Sequence, residues 1–118
     1  MNKEIAKQWC AALRSGEYKQ GQYSLNNVSK NTYCCLGVLC DLYIKSGGNL
    51  RLSLHDNGIT RAYDGCTGMP PSSVMDWAGM RTPHGMYNTP DDNLVADNDS
   101  GLSFDKIADI IEAQVDNL

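Results

Sequence analysis

Basic residues are scattered through this sequence and nowhere clustered, which removes one broad class of function at once. Ten Lys and Arg stand against fourteen Asp and Glu, for a net charge of −4. Gripping a nucleic-acid backbone draws on concentrated positive charge, so DNA and RNA binding are not expected. Long apolar runs are missing too. The opening "MNKEIAKQWC" has no apolar core of a secretory signal, and no stretch approaches the ~18 apolar residues of a membrane span. No membrane association is expected, and the expected location is the cytoplasm. Histidine is scarce, with His55 and His84 the whole supply. No phosphate-binding G-x-x-x-x-G-K-[ST] is present, no glycine turn surrounds a serine as in an oxyanion hole, and no carboxylates pair at a clear spacing. Internal repeats, low-complexity tracts and linkers are absent, so residues 1–118 read as one globular domain. A chain of this length buries roughly two-thirds of its unfolded surface and needs no disulfide or metal staple to fold.

Cysteine is the residue type in excess. There are five, an odd number at irregular spacing. In a reducing compartment the expectation is five free thiols. Three of them crowd into "TYCCLGVLCDLY", residues 32–43. Zinc sites bring ligand pairs at short, regular spacings, whereas these cysteines are adjacent or five and six positions apart. On a helix Cys35 and Cys40 would point about 140° apart, and Cys34 and Cys40 about 120° apart. One ion cannot sit on both sides, so no metal or other cofactor is expected. Cys34 or Cys35 at a helix start, with His84 as base, is the candidate for a thiol nucleophile, since a helix N-terminus lowers a thiol pKa. The leading reading is packing, because free cysteine behaves as a small hydrophobe.

The periodicities predict an α+β fold: three to four helices around an apolar central helix at about residues 33–46, with a small antiparallel hairpin at about 50–63. Asn2 caps a first helix, with Ile5, Trp9, Ala12 and Leu13 on one face and Gly16 beyond its end. Tyr23 and Leu25 alternate with polar residues as in a short strand, and Asn26-Asn27 reads as a turn. Thr32 or Asn31 caps the central helix, Gly37 marks a close backbone approach within it, and Gly47-Gly48 stops it. Leu50, Leu52 and Leu54 alternate toward Asn57-Gly58, the preferred pair for a two-residue hairpin turn. Pro71 starts a short helix carrying Trp77 as a core anchor. Residues 80–93 form an irregular loop. "DNDSG" at 97–101 fails as a calcium loop, since Gly101 falls at position 5 and Ala108 at position 12, and it reads as an Asx-rich turn into a helix capped by Ser103.

Four segments together carry a resemblance: W-x3-L-R-S-G-x-Y-x-Q (Trp9 to Gln20), C-C-L-G-V-L-C-D-L (Cys34 to Leu42), P-x-x-V-x-x-W-x-G (Pro71 to Gly79) and N-D-x-G-x-S-F-x-x-I-A-x-x-I (Asn98 to Ile111). Their order and spacing resemble a family of small uncharacterised proteins of tailed bacteriophages and prophages. The resemblance implies a context, an accessory protein acting in the host bacterial cytoplasm, and no catalytic residue. In that context the expected function is non-enzymatic counter-defence: binding and sequestering a host-derived small ligand, of which a nucleotide immune signal is one candidate. Arg14, Lys19 and Arg81 would pair phosphate. Tyr18, His84 and Tyr87 would stack on a base, and Gln20 is a further candidate contact. A homo-oligomer with its pocket between subunits is expected. Two alternatives stand beside it: a protein–protein inhibitor of a host enzyme anchored by Met80, Met86 and Tyr87, and a small hydrolase using Cys34 or Cys35 with His84.

Overall fold

Helix α1 (Lys3–Arg14) forms where its apolar spacing predicts. The Asn2 carboxamide accepts from the Ile5 N–H at 3.0 Å, and Gly16 follows the last turn in the left-handed region. A computed structural model describes residues 1–118. After α1 come strands β1 (Asn26–Asn27) and β2 (Thr32–Tyr33), helix α2 (Cys35–Lys45), strands β3 (Leu52–His55) and β4 (Thr60–Tyr63), and helices α3 (Ser72–Ala78), α4 (Leu94–Asp99) and α5 (Phe104–Gln114). The strands form one antiparallel sheet in the order β2-β1-β4-β3. The α+β architecture is the one that the periodicities predict. The added helix is α4, which holds the Asp97-Asn98-Asp99 stretch read from sequence as a turn.

The central helix starts later than the sequence suggests. Its N-cap is Cys34, whose Sγ accepts from the Gly37 N–H at 3.4 Å, not Thr32 or Asn31. The cause is β-pairing: Thr32 and Tyr33 lie opposite Asn27 and Asn26, so the chain stays extended until residue 34. Asn26-Asn27 is therefore a strand and not a turn. The turn falls at residues 28–31, where Asn31 takes a positive φ. From Cys35 to Cys40 every residue is buried, as an apolar helix wrapped by other elements requires. Gly37 is the point of closest approach: a Cβ there would sit 1.7 Å from the Leu25 carbonyl oxygen.

The β3–β4 hairpin also departs from expectation. Its loop is residues 56–59, with Asp56, Asn57 and Gly58 all at positive φ, and the ladder closes at His55↔Thr60. The Asp56 carboxylate accepts from the Thr60 hydroxyl at 3.2 Å, which fixes the wider loop in place of a two-residue turn. Leu50 is buried, but Leu52 and Leu54 are 43% and 57% exposed. Tyr23 and Leu25 do not form a strand; Tyr23 projects outward from a left-handed backbone. Trp77 is half-buried and meets Tyr43 edge-on at 5.4 Å.

Helix α5 closes the core. Ser103 Oγ caps it on the Lys106 N–H at 3.3 Å, and Phe104, Ile107, Ala108 and Ile111 are buried. α1 lies along α5, with the Cys10 thiol donating to the Ala108 carbonyl at 3.4 Å. Trp9 is wholly buried and donates from its indole N–H to the Cys35 carbonyl at 2.9 Å, tying α1 to the start of α2.

Gly37→Ala tests this packing. Alanine gains about 1 kcal/mol in helix propensity over glycine. The overlap with the Leu25 carbonyl outweighs that gain, since overpacking a core costs about 1–3 kcal/mol and rigid backbone gives least. Urea denaturation is expected to show a net loss of stability. An unchanged or raised midpoint would refute the close approach.

Candidate functional site

A pair of carboxamides, one buried and one half-buried, organises the polar side of the molecule. Asn98, at the end of α4, is fully buried. Its Oδ1 accepts from Gln20 Nε2 at 3.0 Å and from the Cys35 N–H at 3.2 Å, and its Nδ2 donates to the Gly21 carbonyl at 2.9 Å. Gln20 completes the junction: Nε2 also donates to the Leu102 carbonyl at 2.7 Å, and Oε1 accepts from the Phe104 N–H at 3.0 Å. The ends of α2, α4 and α5 thus meet the connector that follows α1. Two further bonds hold that connector to β2, Gly21 N–H to the Tyr33 carbonyl at 2.8 Å and Tyr33 N–H to the Lys19 carbonyl at 2.9 Å.

The fixed connector forms one wall of a polar cleft of about 490 Å³, and the β1–β2 hairpin forms the other. Lys19 and Lys30 line it with Gln20, Gln22, Asn27 and Tyr23, and no carboxylate does. In a protein of net charge −4 this is a local positive concavity. On the other side of Tyr23 lies a more apolar recess of about 190 Å³, lined by Cys34, Met69, Val95 and Asp99 among others. Tyr23 borders both hollows. Tyr23 is 78% exposed and its backbone sits at φ 72°, held by donation from its N–H to the Asp99 carboxylate at 2.9 Å. A bulky residue in that region costs about 1–3 kcal/mol, a strain that concentrates at ligand clamps.

Of the ligand residues expected from sequence, only Lys19 and Gln20 line this cleft. Gln20 is also a structural tie. Arg14 is engaged by two carboxylates of α5, Glu112 and, at 2.6 Å, Asp109. It edges a separate groove of about 400 Å³ between α1 and α5. Tyr18 donates its hydroxyl to Asp41 and accepts from Lys45 at 2.9 Å. Burial and the Asp41 bond raise its phenol pKa. Arg81 donates to the Asp116 carbonyl at 3.1 Å, and the His84 carbonyl accepts from the Val95 N–H at 3.2 Å. Tyr87 donates to Asp97 at 2.8 Å, and burial together with that bond pushes its phenol up to about 12. Arg81, His84 and Tyr87 line none of the three hollows. Met80, expected as an exposed anchor for a protein partner, is 7% exposed and belongs to the core.

Burial raises the thiols of Cys10, Cys34, Cys35 and Cys40. Burial pushes Cys34 up to about 11, outweighing the lowering by the N–H groups at the start of α2. Cys35 is raised by burial and then by Cys34; Cys40 follows the same pattern. Cys10 is pushed up to about 11, mainly by burial. No group of three or more His, Cys, Asp and Glu side chains is placed to hold a metal ion.

Sequence reasoning missed Gln22, Tyr23, Asn27 and Lys30 because the connector read as strand and turn. The one local signal was "NNVSKN", whose polar residues flank a tight turn and bring Lys30 back toward Lys19. Two outcomes check this site. Asn98→Ala leaves the Gly21 carbonyl and the Cys35 N–H unpaired, and thermal or urea unfolding should show a loss of about 3 kcal/mol at roughly 1–3 kcal/mol for each unsatisfied group; near-neutral behaviour would refute the junction. With iodoacetamide at neutral pH, Cys10, Cys34, Cys35 and Cys40 should stay unmodified in the native protein and all react after denaturation. Rapid native alkylation of Cys34 would instead identify an activated thiol.

No curated protein and no solved structure matches this chain. A family model does, over residues 1–115, and its description is a domain of unknown function (DUF8296). Nearly the whole chain is matched, from α1 through α5, and the protein belongs to the DUF8296 family.

Proposed function

We propose that this is a phage-borne accessory protein that sequesters a host-derived nucleotide, an immune signal of the infected cell, in the cleft beside Tyr23. The observation that carries the reading is Tyr23 itself. An exposed aromatic ring on a strained, anchored backbone stands between a hollow with two lysines and a more apolar one. A nucleotide has the matching halves. Lys19 and Lys30 pair the phosphates, Gln22 and Asn27 supply hydrogen bonds, and the base stacks on Tyr23. The lysine-lined cleft offers amides, ammonium groups and the Thr32 hydroxyl, with neither histidine nor carboxylate to move a proton. That lining supports retention over turnover. The phage context and the bacterial cytoplasm rest on the sequence resemblance.

Calorimetric titration with a panel of linear and cyclic nucleotides, and with inorganic phosphate, tests the reading. A nucleotide should bind and be recovered chemically unchanged after heat release. Lys30→Glu should abolish binding, and Tyr23→Ala should weaken it by about 1–3 kcal/mol, the worth of one base–aromatic stack. If no nucleotide binds, or Lys30→Glu binds as well as the wild type, the proposal fails. Tyr23 and Met69, exposed beside the same recess, favour host-protein capture as the second reading. Its mark would be a host enzyme retained by the wild type and lost with Tyr23→Ala.

A further inference from the structure

The sheet has one open edge at β3, and its unpaired groups can be assigned residue by residue. The Asp64 N–H donates to the Arg51 carbonyl at 2.8 Å, which puts Arg51 and Asp64 in a hydrogen-bonded position of the β3–β4 register. Hydrogen-bonded and non-bonded pairs alternate along an antiparallel ladder. Ser53↔Ala62 and His55↔Thr60 are therefore bonded pairs, while Leu52↔Tyr63 and Leu54↔Arg61 are not. The other side of β4 agrees. Tyr63 spends both backbone groups on Cys66, and the Val28 N–H donation to the Ile59 carbonyl turns the Arg61 backbone toward β1. The N–H and C=O groups of Leu52 and Leu54 thus point away from the sheet, and no backbone bond outside the ladder uses them.

The two leucine side chains share one sheet face with buried Tyr63, and both are exposed. Natural edge strands guard themselves with charge, proline or a bulge. Residues 52–54, "LSL", carry none of these.

We propose that two copies of the chain pair antiparallel through β3 about a two-fold axis at Ser53, joining two sheets into one of eight strands. The occupant is a second copy because the edge complements itself. With Ser53 on the axis, Leu52 of each copy falls opposite Leu54 of the other in a hydrogen-bonded position, which uses the outward groups of both residues. The four leucines then lie together on one face, which also carries Tyr63 and, turned aside to the Asn26 carboxamide, Arg61. A one-residue shift would place Leu52 opposite His55 and turn apolar side chains to the polar face. The ligand cleft lies at the other end of the sheet, beside β1 and β2, so the pairing stands independently of the nucleotide reading.

Light scattering on the purified chain, with cysteine crosslinking, tests both the pairing and its register. The wild type should run at twice the monomer mass, and Leu54→Lys should run as a monomer with unchanged circular dichroism. Residues facing across the axis at a non-bonded position have Cα atoms about 4.5 Å apart, within the range that a disulfide spans. Ser53→Cys should therefore give a reducible covalent dimer under mild oxidation. His55→Cys, on the same face but facing Arg51 of the other copy, should not. A monomeric wild type, a dimer that survives Leu54→Lys, or equal crosslinking at both positions would overturn the proposal.

Discussion

The carboxamide of Asn98 is the constraint on which the polar half of this structure depends. A single buried side chain accepts from Gln20 and Cys35 and donates to the Gly21 carbonyl, so it ties α4 both to the connector and to the start of α2. Apolar contacts can bring α2, α4 and the connector together, but they are not directional and leave the register open. A buried amide does set register, because each misplaced partner would be left unpaired out of water. Gln20 carries the constraint on to the start of α5. The walls of the cleft are thereby placed by hydrogen bonds to these two carboxamides.

The apolar half follows a different rule. α2 is buried along its first two turns, and small side chains make this possible: Cys35, Gly37 and Cys40 let α1, α4 and the connector approach closely. At Gly37 the neighbour is the Leu25 carbonyl, which any side chain would displace. Leu25 in turn sits two residues beyond Tyr23. The same contact that packs the core therefore limits where the connector can run and helps to hold Tyr23 in its unusual backbone. Core packing and the shape of the proposed ligand site are linked through this one stretch of chain.

The cysteines take their character from the same environment. Cys34 has the position that activates a thiol, at the start of a helix with N–H groups directed at its sulfur. Desolvation is the larger effect, and the thiol is raised, not lowered. The sulfur spends its acceptor capacity on capping the helix, a role normally taken by an oxygen side chain.

The amino-acid pattern by itself determined the α+β class, the apolar central helix, the Asn2 and Ser103 caps, the close approach at Gly37 and the free, packed state of most thiols. These depend on spacing along one segment, where helical periodicity and capping chemistry act over a few residues. Only the tertiary structure decided the rest. Asn26-Asn27 became a strand because Thr32-Tyr33 lay beside it, and the cap moved to Cys34 as a consequence. Of the residues singled out at the end of α1 and in the connector, Lys19 and Gln20 came to the cleft, while Arg14 and Tyr18 were taken up by carboxylates on α5 and α2. Asn98 gave no local sign of its importance, since its partners are up to 78 positions away in sequence. Polar residues in turns look alike until the fold shows which of them water no longer reaches.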